Sequence, residues 1–540
     1  MGLLVGDILA RAAAGRPGAV GATLGGTSAT FADLDAAADH TAAALAGLGV
    51  GRGHIVAWWA GTSLRCLDGF VAAARLGAAY APVSPLLGPD EAAAAVGHLR
   101  PRLLVADAAR AGDAARIAGG LGIPCAVVGT TGDGSTADAS MADRGTRDGT
   151  AHDLDARTAT AARRNGTGGT AGPARARVAE DDPHVVYLTS GTTGAPKGVV
   201  VSHRAGWLRS FPGAGTFSLG VTGGGGILTC FPLHHYGGWH YVLEAWHGGH
   251  PIHLVERATA DDMLATAERW RPGGLYAIPA VWDRLLAAAG PDLDLTSVRQ
   301  ADTGTSATPP DLLVRIRDRL PQATTSVFYG STEAGHHTTL PDWDVPGHPG
   351  SVGRAAPGMR VRVSVDGEVC VTGPTLMTGY LRDPGATAAA VVDGWYRTGD
   401  LGHLDADGYL TVTGRVREVI RTGGETVSPT EVEAALRGLP GVRDAAVVGL
   451  PDERWGEVVC AALVPDDGAA APTVEAVRAH VAGRLAPFKQ PRRVEVVGAV
   501  PRTGATGQVQ RTLLRESLAR AGRPAAAAGA VVAGTPSGGR

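Results

Sequence analysis

The 540-residue chain is longer than a single hydrophobic core supports, so two or more domains are expected. Its formal net charge of −3 at pH 7 excludes the basic footprint that is typical of nucleic-acid-binding proteins. The chain has neither an apolar stretch of about 18 residues nor a basic, apolar leader, so no membrane span and no signal peptide are predicted. The five cysteines are scattered and show no CxxC spacing, which favours reduced thiols in the cytoplasm over disulfides or a structural zinc site.

Helical and strand patterns alternate between residues 28 and 108. Apolar residues at helical spacing begin at Phe31 and end before Gly47 and Gly49, because glycines stop helices. The elements predicted after this helix are a buried strand at 55–59, a helix at 66–76 and a short strand at 79–83. Because helices alternate with strands, this region predicts a doubly wound, mostly parallel sheet.

Two segments differ from the rest of the chain in composition. Residues 129–181 are rich in Gly, Thr, Ala, Asp and Arg and hold few large apolar side chains. Such a segment buries too little surface to offset the entropy cost of ordering it, so we expect a disordered insertion there. The tail at 521–540 has the same character and predicts a second disordered segment.

The stretch from Tyr187 to His203 has the composition of a phosphate-binding loop between two strands. Its glycines let backbone N–H groups approach a polyanion, its hydroxyls donate hydrogen bonds, and Lys197 supplies a positive charge. A Walker A loop is excluded, because Pro196 replaces its second glycine and a strand comes next instead of a helix. A plain surface turn is the alternative, but it gives no reason for Pro-Lys-Gly between two strands. The residues predicted to surround phosphate are Thr189, Ser190, Gly191, Thr192, Thr193 and Gly194, together with Lys197.

This stretch resembles the phosphate-binding signature of the adenylate-forming superfamily, which comprises acyl-CoA synthetases, adenylation domains of peptide synthetases and luciferases. The signature is T-S-G-T-T-G-x-P-K-G-V followed by a Thr/Ser-His pair, and the chain carries it from Thr189 to His203. The resemblance implies an α/β fold with a large N-terminal domain of doubly wound mixed sheets and a smaller, mobile α+β C-terminal domain. It also implies ATP and Mg²⁺ as cofactors and CoA as the expected acceptor.

Residues 231–238 are similar to the family's P-L-F-H-x-x-G segment, which borders the acyl pocket. His235 aligns with the family histidine, and His234 replaces an aromatic residue. An ordinary pair of loop histidines is the alternative. A metal site is disfavoured, because His234, His235 and His240 lack ligand spacing and have no Cys or Asp nearby. In the place of the family's G-G-A-P turn under adenine, only Gly304 is retained.

Residues 327–335 fit the family's Y-G-x-T-E motif. By this resemblance Tyr329 and Gly330 border the adenine, for which the tyrosine offers a stacking face, and Thr332 offers a hydroxyl to the α-phosphate. Glu333 is the hard oxygen ligand that Mg²⁺ prefers. The motif is therefore expected to hold the nucleotide and its metal.

Two charged residues further along match the family's ribose site. Asp400 comes after a glycine turn, from which a carboxylate can accept hydrogen bonds from both ribose hydroxyls. Arg415 matches an arginine that contacts ribose and phosphate. The hinge acid of the family is replaced by Arg417, and a hinge needs soft backbone dihedral angles more than a particular charge. The predicted domains are therefore 1–416 and 417–520, with the tail at 521–540.

The small domain is expected to contain the acceptor side of the reaction. Gly423 and Gly424 match the turn that faces the pantetheine tunnel in acyl-CoA synthetases. The elements predicted after this turn are a helix at 430–436, strands at 445–450 and 458–464, a helix at 474–485 and a strand at 493–497. This order is typical of an α+β domain.

The chain departs from the family at its last motif, P-R-T-x-x-G-K. In the family the lysine neutralises the carboxylate and the α-phosphate, and this chain has Gln508 in its place. Loss of such a charge costs on the order of 10²–10³ in rate. Three interpretations stay open: another cation (Lys489, Arg502 or Arg511) substitutes; the substrate is an acid that needs less help, or an oxyanion such as nitrite; or the protein is a degenerate nucleotide- or acyl-binding protein.

The predicted function is that of an acid:thiol ligase that forms acyl-AMP from a small-molecule acid. His234, Tyr236 and Trp239 favour a short or aromatic acid over a long chain. The acceptor stays open between CoA, a carrier-protein thiol and an amine. A monomer or a homodimer is expected, without nucleic acid or membrane partners.

Overall fold

The computed structural model describes residues 2–129, 151–158, 177–189, 196–211, 224–290, 293–423, 425–503 and 507–521. The chain divides into two compact units, one formed by Met1–Thr398 with Gly402–Val412 and the other by Gly399–Leu401 with Thr413–Arg540. The main division therefore precedes Thr413, whereas the sequence places the boundary before Arg417. Arg417 is exposed, and its role as a hinge stays a prediction.

Helices and strands alternate along the first unit. Its helices are α1 (Gly6–Gly15), α2 (Phe31–Gly47), α3 (Leu64–Arg75), α4 (Pro89–Leu99), α5 (Ala111–Leu121), α6 (His203–Ser210), α7 (Tyr236–His247), α8 (Ala260–Trp270), α9 (Pro279–Ala288), α10 (Pro310–Arg319) and α11 (Pro384–Ala390). Its strands up to the end of the phosphate-loop hairpin are β1 (Val20–Leu24), β2 (Thr27–Thr30), β3 (Ile55–Trp59), β4 (Ala79–Val83), β5 (Leu103–Asp107), β6 (Cys125–Val128), β7 (Ala151–Asp153), β8 (Pro183–Thr189) and β9 (Lys197–Ser202).

The remaining strands of the first unit include the Y-G-x-T-E motif and the segments on either side of it. They are β10 (Ile227–Thr229), β11 (Ile252–Leu254), β12 (Gly274–Tyr276), β13 (Gln300–Gly304), β14 (Ser326–Ser331), β15 (Gly335–Pro341), β16 (Arg354–Ala355), β17 (Arg360–Val363), β18 (Glu368–Thr372), β19 (Gly379–Tyr380), β20 (Val391–Val392), β21 (Trp395–Leu404) and β22 (Leu410–Arg415), of which the last two extend into the second unit.

An eight-stranded sheet in the order β19-β9-β8-β4-β3-β5-β6-β7 carries the phosphate-loop hairpin. The strands from β8 to β7 run parallel, whereas β9 is antiparallel to both β8 and β19. All residues of β3 and β4 are buried, which is why both strands are continuous apolar runs. The predicted doubly wound sheet and both of its predicted strands are confirmed.

Helix α2 begins and ends where the sequence predicts. The Thr30 hydroxyl accepts a hydrogen bond from the Asp33 N–H at 3.1 Å, and the Asp33 carboxylate accepts one from the Thr30 N–H at 3.0 Å. This capping box satisfies two N–H groups that the first helical turn leaves unpaired. The predicted helix at 66–76 is shifted slightly, since α3 spans Leu64–Arg75.

The expected insertion at 129–181 differs from the prediction in its described part. Ala151–Asp153 forms β7, which pairs in parallel with β6 at the edge of the sheet. Leu154 is fully buried beside it, and Asp155 lies 2.8 Å from Arg65. One large apolar side chain and an ion pair therefore anchor residues 151–158, within a segment whose composition predicted disorder. Residues 130–150 and 159–176, like the predicted tail at 522–540, lie outside the described residues.

A nine-stranded sheet in the order β16-β15-β14-β13-β12-β10-β11-β1-β2 forms the other large layer of the first unit. Its strands from β14 to β1 run parallel, and antiparallel partners close both edges. The Y-G-x-T-E motif lies at the carboxyl end of β14, the end at which open parallel sheets bind ligands. A smaller sheet has the order β17-β18-β21-β20, with β22 paired to β21.

The second unit is an α+β domain, as the sequence predicts. Its strands are β23 (Ile420–Thr422), β24 (Glu425–Val427), β25 (Val442–Asp452), β26 (Gly456–Pro465) and β27 (Arg493–Val496), and its helices are α12 (Pro429–Leu436), α13 (Val474–Val481) and α14 (Arg511–Ala521). The predicted helix at 474–485 is too long at its C-terminal end, because Ala482 is extended and Gly483 has a φ of 80°. In the part of the chain that the structure describes, no helix is long and apolar enough to cross a membrane.

Candidate active site

The pairing of β8 with β9 confirms the two strands predicted on either side of the phosphate loop. Thr189 and Lys197 are cross-strand partners at the end of the hairpin nearest the loop, and the Thr189 hydroxyl donates to the Lys197 carbonyl at 3.5 Å. Five predicted phosphate-binding residues lie outside the described residues: Ser190, Gly191, Thr192, Thr193 and Gly194. Their contacts with phosphate stay a prediction, but the two strands that would present them are in place.

Lys197 and Glu333 are joined through a third residue, Tyr380. The Lys197 ammonium lies 4.6 Å from the centre of the Tyr380 ring, a distance typical of a cation–π contact. The Tyr380 hydroxyl donates a hydrogen bond to Glu333 Oε1 at 3.1 Å. Pairing of β19 with β9 places Tyr380 opposite Val199, and the aromatic side chain thus links the predicted phosphate-binding cation to the predicted metal ligand.

The rest of the Y-G-x-T-E motif lies around a bulge near the end of β14. The register of β14 with β15 shifts between Tyr329 and Gly330, and a Cβ on Gly330 would lie 2.4 Å from the Gly335 carbonyl oxygen. Tyr329 is half-buried, and its ring packs edge-on against His337 at 4.8 Å. Thr332 is also half-buried. Both side chains therefore keep some exposed surface with which a nucleotide could make contact.

Gly304 has a structural explanation that the sequence did not reveal. It pairs with Phe328 across β13 and β14, with a φ of 152°, and a Cβ would lie 2.1 Å from the Phe328 carbonyl oxygen. Close approach of the two strands therefore requires glycine at this position. The predicted contact of Gly304 with adenine stays a prediction.

The two loop histidines lie side by side at the start of α7. Their ring centres are 4.4 Å apart. Burial lowers the pKa of His234 to about 3, with a smaller contribution from His235, and burial alone lowers the pKa of His235 to about 4. Both imidazoles are therefore neutral near pH 7, so they can exchange hydrogen bonds with a substrate but cannot supply a positive charge to it.

Other polar groups of α7 are buried, among them His240 and Glu244. His240 Nε2 lies 3.3 Å from Glu244 Oε2, and the His240 ring lies 4.3 Å from that of His336. Trp239 is part of the core, because it stacks on Phe70 at 3.8 Å and donates to the Leu233 carbonyl. The suggestion that Trp239, with His234 and Tyr236, favours a short or aromatic acid stays a prediction. Among the described residues, no group of three or more His, Cys, Asp or Glu could hold a metal ion.

In the second unit the two predicted ribose ligands are brought together. Arg415 Nε lies 3.0 Å from Asp400 Oδ1, and the Asp400 side chain is only 10% exposed. Gly399, which precedes the acid, has a φ of 75°, and its carbonyl accepts a hydrogen bond from the Val416 N–H at 2.8 Å. The tight glycine turn expected from the sequence therefore orients the carboxylate next to its arginine.

Gly423 takes a left-handed conformation, with a φ of 60°. A Cβ there would lie 2.8 Å from the Trp455 ring, so a side chain is excluded by packing as well as by the backbone. Gly424 lies outside the described residues. The contact of this turn with pantetheine stays a prediction.

Sequence comparison gives a clear assignment. The model of the AMP-binding enzyme family matches residues 9–381, and that of the AMP-binding enzyme C-terminal domain matches residues 431–506. The chain belongs to the AMP-binding enzyme family. It is 36% identical over 368 residues to indoleacetate–CoA ligase of Aromatoleum aromaticum, covering 65% of this enzyme and 70% of that protein. It is 37% identical over 367 residues to 4-chlorobenzoate–CoA ligase of an Arthrobacter species, covering 65% and 69%.

Solved structures of related proteins have the same fold. Amide bond synthetase McbA from Marinactinospora thermotolerans superposes with a TM-score of 0.80 at 29% identity, covering 95% of this enzyme and 99% of that chain. ATP-bound MatB from Rhodopseudomonas palustris superposes with a TM-score of 0.79 at 26% identity, covering 95% and 98%. The enzyme is an AMP-forming ligase of the acid–thiol class, which is the class of its curated relatives.

The three cations suggested as substitutes for the missing lysine all have acidic partners within the second unit. Lys489 lies 2.6 Å from Glu431, and Arg502 lies 2.8 Å from Asp444. Arg511 is paired with Glu418 and with Glu433. Each of these side chains already neutralises a carboxylate, so its transfer to a substrate would break an ion pair of the enzyme.

Gln508 is joined to Thr503 by two hydrogen bonds in the same unit. Its carbonyl accepts a hydrogen bond from the Thr503 N–H at 2.8 Å, and its own N–H donates to the Thr503 hydroxyl at 3.1 Å. The backbone therefore fixes this position even though the side chain is uncharged. A catalytic role for Gln508 or Lys489 stays a prediction.

Sequence reasoning missed two residues of the first unit. Tyr380 follows Gly379 in a short segment that resembles a Gly-Tyr segment of the family, but no site role followed from the sequence. Arg209 lies outside every recognised motif, yet its guanidinium donates to the Thr332 and Glu333 carbonyls at 2.9 Å. No periodicity or motif could have indicated this contact, because it joins segments that are distant in sequence.

Proposed function

We propose that this enzyme uses ATP to activate a small or aromatic carboxylic acid and passes the acyl group to CoA or a carrier-protein thiol. A carboxylate oxygen attacks the α-phosphorus of ATP, the bond to the pyrophosphate oxygen breaks, and acyl-AMP and pyrophosphate form. A thiolate sulfur then attacks the acyl carbon, and AMP departs with the electrons of the broken C–O bond. Catalysis of the first step rests mainly on positioning and charge neutralisation.

The observation that carries this proposal is the cluster of Lys197, Tyr380 and Glu333 beside the phosphate-loop hairpin. We assign Lys197 to the negative charge that develops on the phosphoryl oxygens. Glu333 is suited to Mg²⁺, because this ion in nucleotide sites takes one or two carboxylates and completes its shell with phosphate oxygens and water. One carboxylate fits such a metal, which the nucleotide would bring with it.

We assign Tyr329 and Thr332 to the adenine ring and the α-phosphate, and Asp400 with Arg415 to the ribose. The partial exposure of Tyr329 and Thr332 and the pairing of Arg415 with Asp400 at 3.0 Å support these roles. His235, neutral and half-buried, is suited to a hydrogen bond with the bound acid. These roles are testable one residue at a time.

The expected substrate is an aromatic or short acid. Two curated relatives are named for indoleacetate and 4-chlorobenzoate, and a further one, 32% identical over 334 residues, is named for 2-succinylbenzoate. His234 and Tyr236 provide ring edges and hydrogen-bonding atoms at the start of α7, which supports an acid of this kind. An amine is the second candidate acceptor, because the similar McbA structure is that of an amide bond synthetase.

The test is pyrophosphate release from ATP and Mg²⁺ over a panel of aryl acids, short aliphatic acids, long-chain acids and nitrite. Each acid is assayed alone, with CoA and with a simple amine, and Lys197→Gln serves as the background control. We expect release that depends on an aryl or short acid, and thioester formation with CoA. Best turnover of long-chain acids would contradict the substrate class. ATP binding without release from any compound would identify a binding protein instead.

We also place the enzyme in the cytoplasm. All five cysteines are unpaired and buried, which supports a reducing compartment. Retention of all five free thiols in protein purified without reductant would agree with this location.

A further inference from the structure

Arg209 is a buried cation in the interior of the first unit. It lies on α6, the helix that comes after the phosphate-loop hairpin, and only 3% of the residue is exposed. Among the described residues, no carboxylate lies within ion-pair distance of its guanidinium. Burying a charge of this kind costs free energy unless polar groups replace the lost hydration shell. The groups that contact the guanidinium therefore indicate the role of Arg209.

Three backbone carbonyls and one aromatic face surround the guanidinium. Nη1 donates to the Thr332 carbonyl at 2.9 Å, Nη2 to the Glu333 carbonyl at 2.9 Å, and Nε to the Thr375 carbonyl at 2.8 Å. The guanidinium carbon lies 5.2 Å from the centre of the Tyr236 ring. All three nitrogens of the guanidinium therefore donate hydrogen bonds. The planar guanidinium presents N–H groups in several directions, which suits three carbonyls that lie on different sides of it.

The three carbonyls belong to two separate segments of the chain. Thr332 and Glu333 form the end of the Y-G-x-T-E motif, whereas Thr375 begins the segment that leads to Tyr380. Further hydrogen bonds join the same segments: the Met377 N–H donates to the Glu333 carbonyl at 2.6 Å, and the Thr375 hydroxyl donates to the Ala334 carbonyl at 2.8 Å. Arg209 thus belongs to a set of hydrogen bonds that joins the two segments.

The two segments carry the two partners of one hydrogen bond at the candidate site. Glu333 supplies the carboxylate, and Tyr380 supplies the hydroxyl that donates to it at 3.1 Å. If the segments moved apart, this hydrogen bond would lengthen and the carboxylate would lose its orientation. Groups that orient a metal ligand typically change metal affinity or activity by about 10–100-fold when they are removed.

We propose that Arg209 is a positioning residue that holds the Glu333 carboxylate and the Tyr380 hydroxyl in register for a nucleotide-bound divalent cation. The inference rests on the proposed function, because Glu333 is the proposed metal ligand. Arg209 itself does not touch the substrate. It acts through the backbone of Thr332 and Glu333 and through the Thr375 segment, so its contribution is largest for binding that depends on the metal.

The test measures binding of ATP to the full chain by calorimetry, with Mg²⁺ and with EDTA. The variants are Arg209→Lys, Glu333→Gln and the double variant, and each is also characterised by its thermal unfolding midpoint. Arg204→Lys, on the exposed side of the same helix and paired with Glu180, is the matched control. Lysine keeps the charge at position 209 but cannot reach three diverging carbonyls.

We expect Arg209→Lys to weaken ATP binding about tenfold with Mg²⁺ and much less in EDTA, where only the Thr332 contact with phosphate is affected. The double variant should bind MgATP no more weakly than Glu333→Gln alone, because the arginine acts through the glutamate. Equal losses with Mg²⁺ and EDTA, or additive losses in the double variant, would show a purely structural role and overturn the inference. If Arg209→Lys is poorly folded, Arg209→Gln studied below its unfolding midpoint must show the same metal-dependent loss.

Failure of the proposed function has a different signature. In that case wild-type ATP affinity would be the same with Mg²⁺ and with EDTA, and Glu333→Gln would change neither value. Metal-dependent binding that is lost in Glu333→Gln but kept in Arg209→Lys would instead reject the role of Arg209 alone.

Discussion

At the scale of single residues, Tyr380 connects the two charged groups on which the proposed chemistry depends. Its ring face lies under the Lys197 ammonium and its hydroxyl donates to Glu333 Oε1. Lys197 and Glu333 are therefore held near each other without a direct ion pair. This arrangement leaves both charges available for a phosphate and its metal, whereas a direct ion pair would consume them.

Replacement of Lys197 by glutamine should lower kcat for pyrophosphate release by on the order of 10²–10³, because a positive group aimed at developing negative charge is lost. The thermal unfolding midpoint should change little, since the aliphatic stem is kept. Arg204→Gln, which removes a largely exposed cation from the neighbouring helix, is the control and should retain activity. A fall in kcat of less than about threefold for Lys197→Gln would show that Lys197 does not contribute to catalysis.

Buried histidines should make the stability of the first unit depend on pH. Burial is the main cause that lowers the pKa to about 4 for His203, His235 and His247 and to about 3 for His234 and His337. An unfolded imidazole has a pKa of about 6.5, so between these values the unfolded state binds more protons than the folded state. The free energy of unfolding should therefore fall as pH drops from about 6.5 to about 4.

Urea unfolding at pH 7.5 and pH 5 measures this effect. The midpoint should be lower at pH 5, and His235→Gln should reduce the difference between the two pH values. His403→Gln, at an exposed position, is the control and should leave the difference unchanged. A wild-type midpoint that is equal or higher at pH 5 would contradict the prediction.

At the scale of elements, the candidate site depends on how closely β13 and β14 approach. Gly304 allows this approach, because a Cβ would lie 2.1 Å from the Phe328 carbonyl oxygen. The next residues along β14 lead into the Y-G-x-T-E motif. Displacement of this strand would therefore move Tyr329 and Glu333 together.

Gly304→Ala should destabilise the enzyme by more than about 2 kcal/mol, because a backbone contact under 3 Å cannot be relieved by turning a side chain. Gly97→Ala is the matched control, since Gly97 lies inside α4 and a Cβ there meets no atom within 4 Å. That control should raise stability by about 0.5–1 kcal/mol. Chemical denaturation measures both values, and equal stability of the two variants would refute the strand-packing explanation.

At the scale of the whole molecule, the enzyme combines retained phosphate-loop, Y-G-x-T-E and ribose motifs with an altered last motif. Gln508 replaces the lysine that the family uses during adenylation. The cations considered as substitutes are engaged with acids of the second unit, as in the pairs Lys489–Glu431 and Arg502–Asp444. Recruitment of any of them would cost an existing ion pair.

Gln508→Lys should therefore increase the rate of acid-dependent pyrophosphate release by on the order of 10². Gln510→Lys adds the same charge two residues further along and is the matched control, for which no such gain is expected. Initial rates at saturating ATP measure the effect. An unchanged or slower rate in Gln508→Lys would mean that another group already supplies the charge, and activity in the variant alone would favour a degenerate binding protein.

Local patterns were sufficient to predict much of the fold. The capping residues of α2, the buried runs of β3 and β4 and the β8–β9 hairpin are each encoded within a few consecutive residues. Composition was less reliable, because β7 lies in a segment predicted to be disordered. A single buried leucine next to β7 contributes to the core, although the average composition of the segment is polar.

The order of motifs along the sequence by itself determined the family, the α/β fold and the residues assigned to ATP. Only the tertiary structure decided which side chains meet. Glu333 and Tyr380 are 47 residues apart, and Arg209 reaches carbonyls 123, 124 and 166 residues away. The reason is physical: strand and helix patterns depend on neighbours in sequence, whereas the orientation of a carboxylate depends on groups that only the packing of distant segments brings within hydrogen-bond distance.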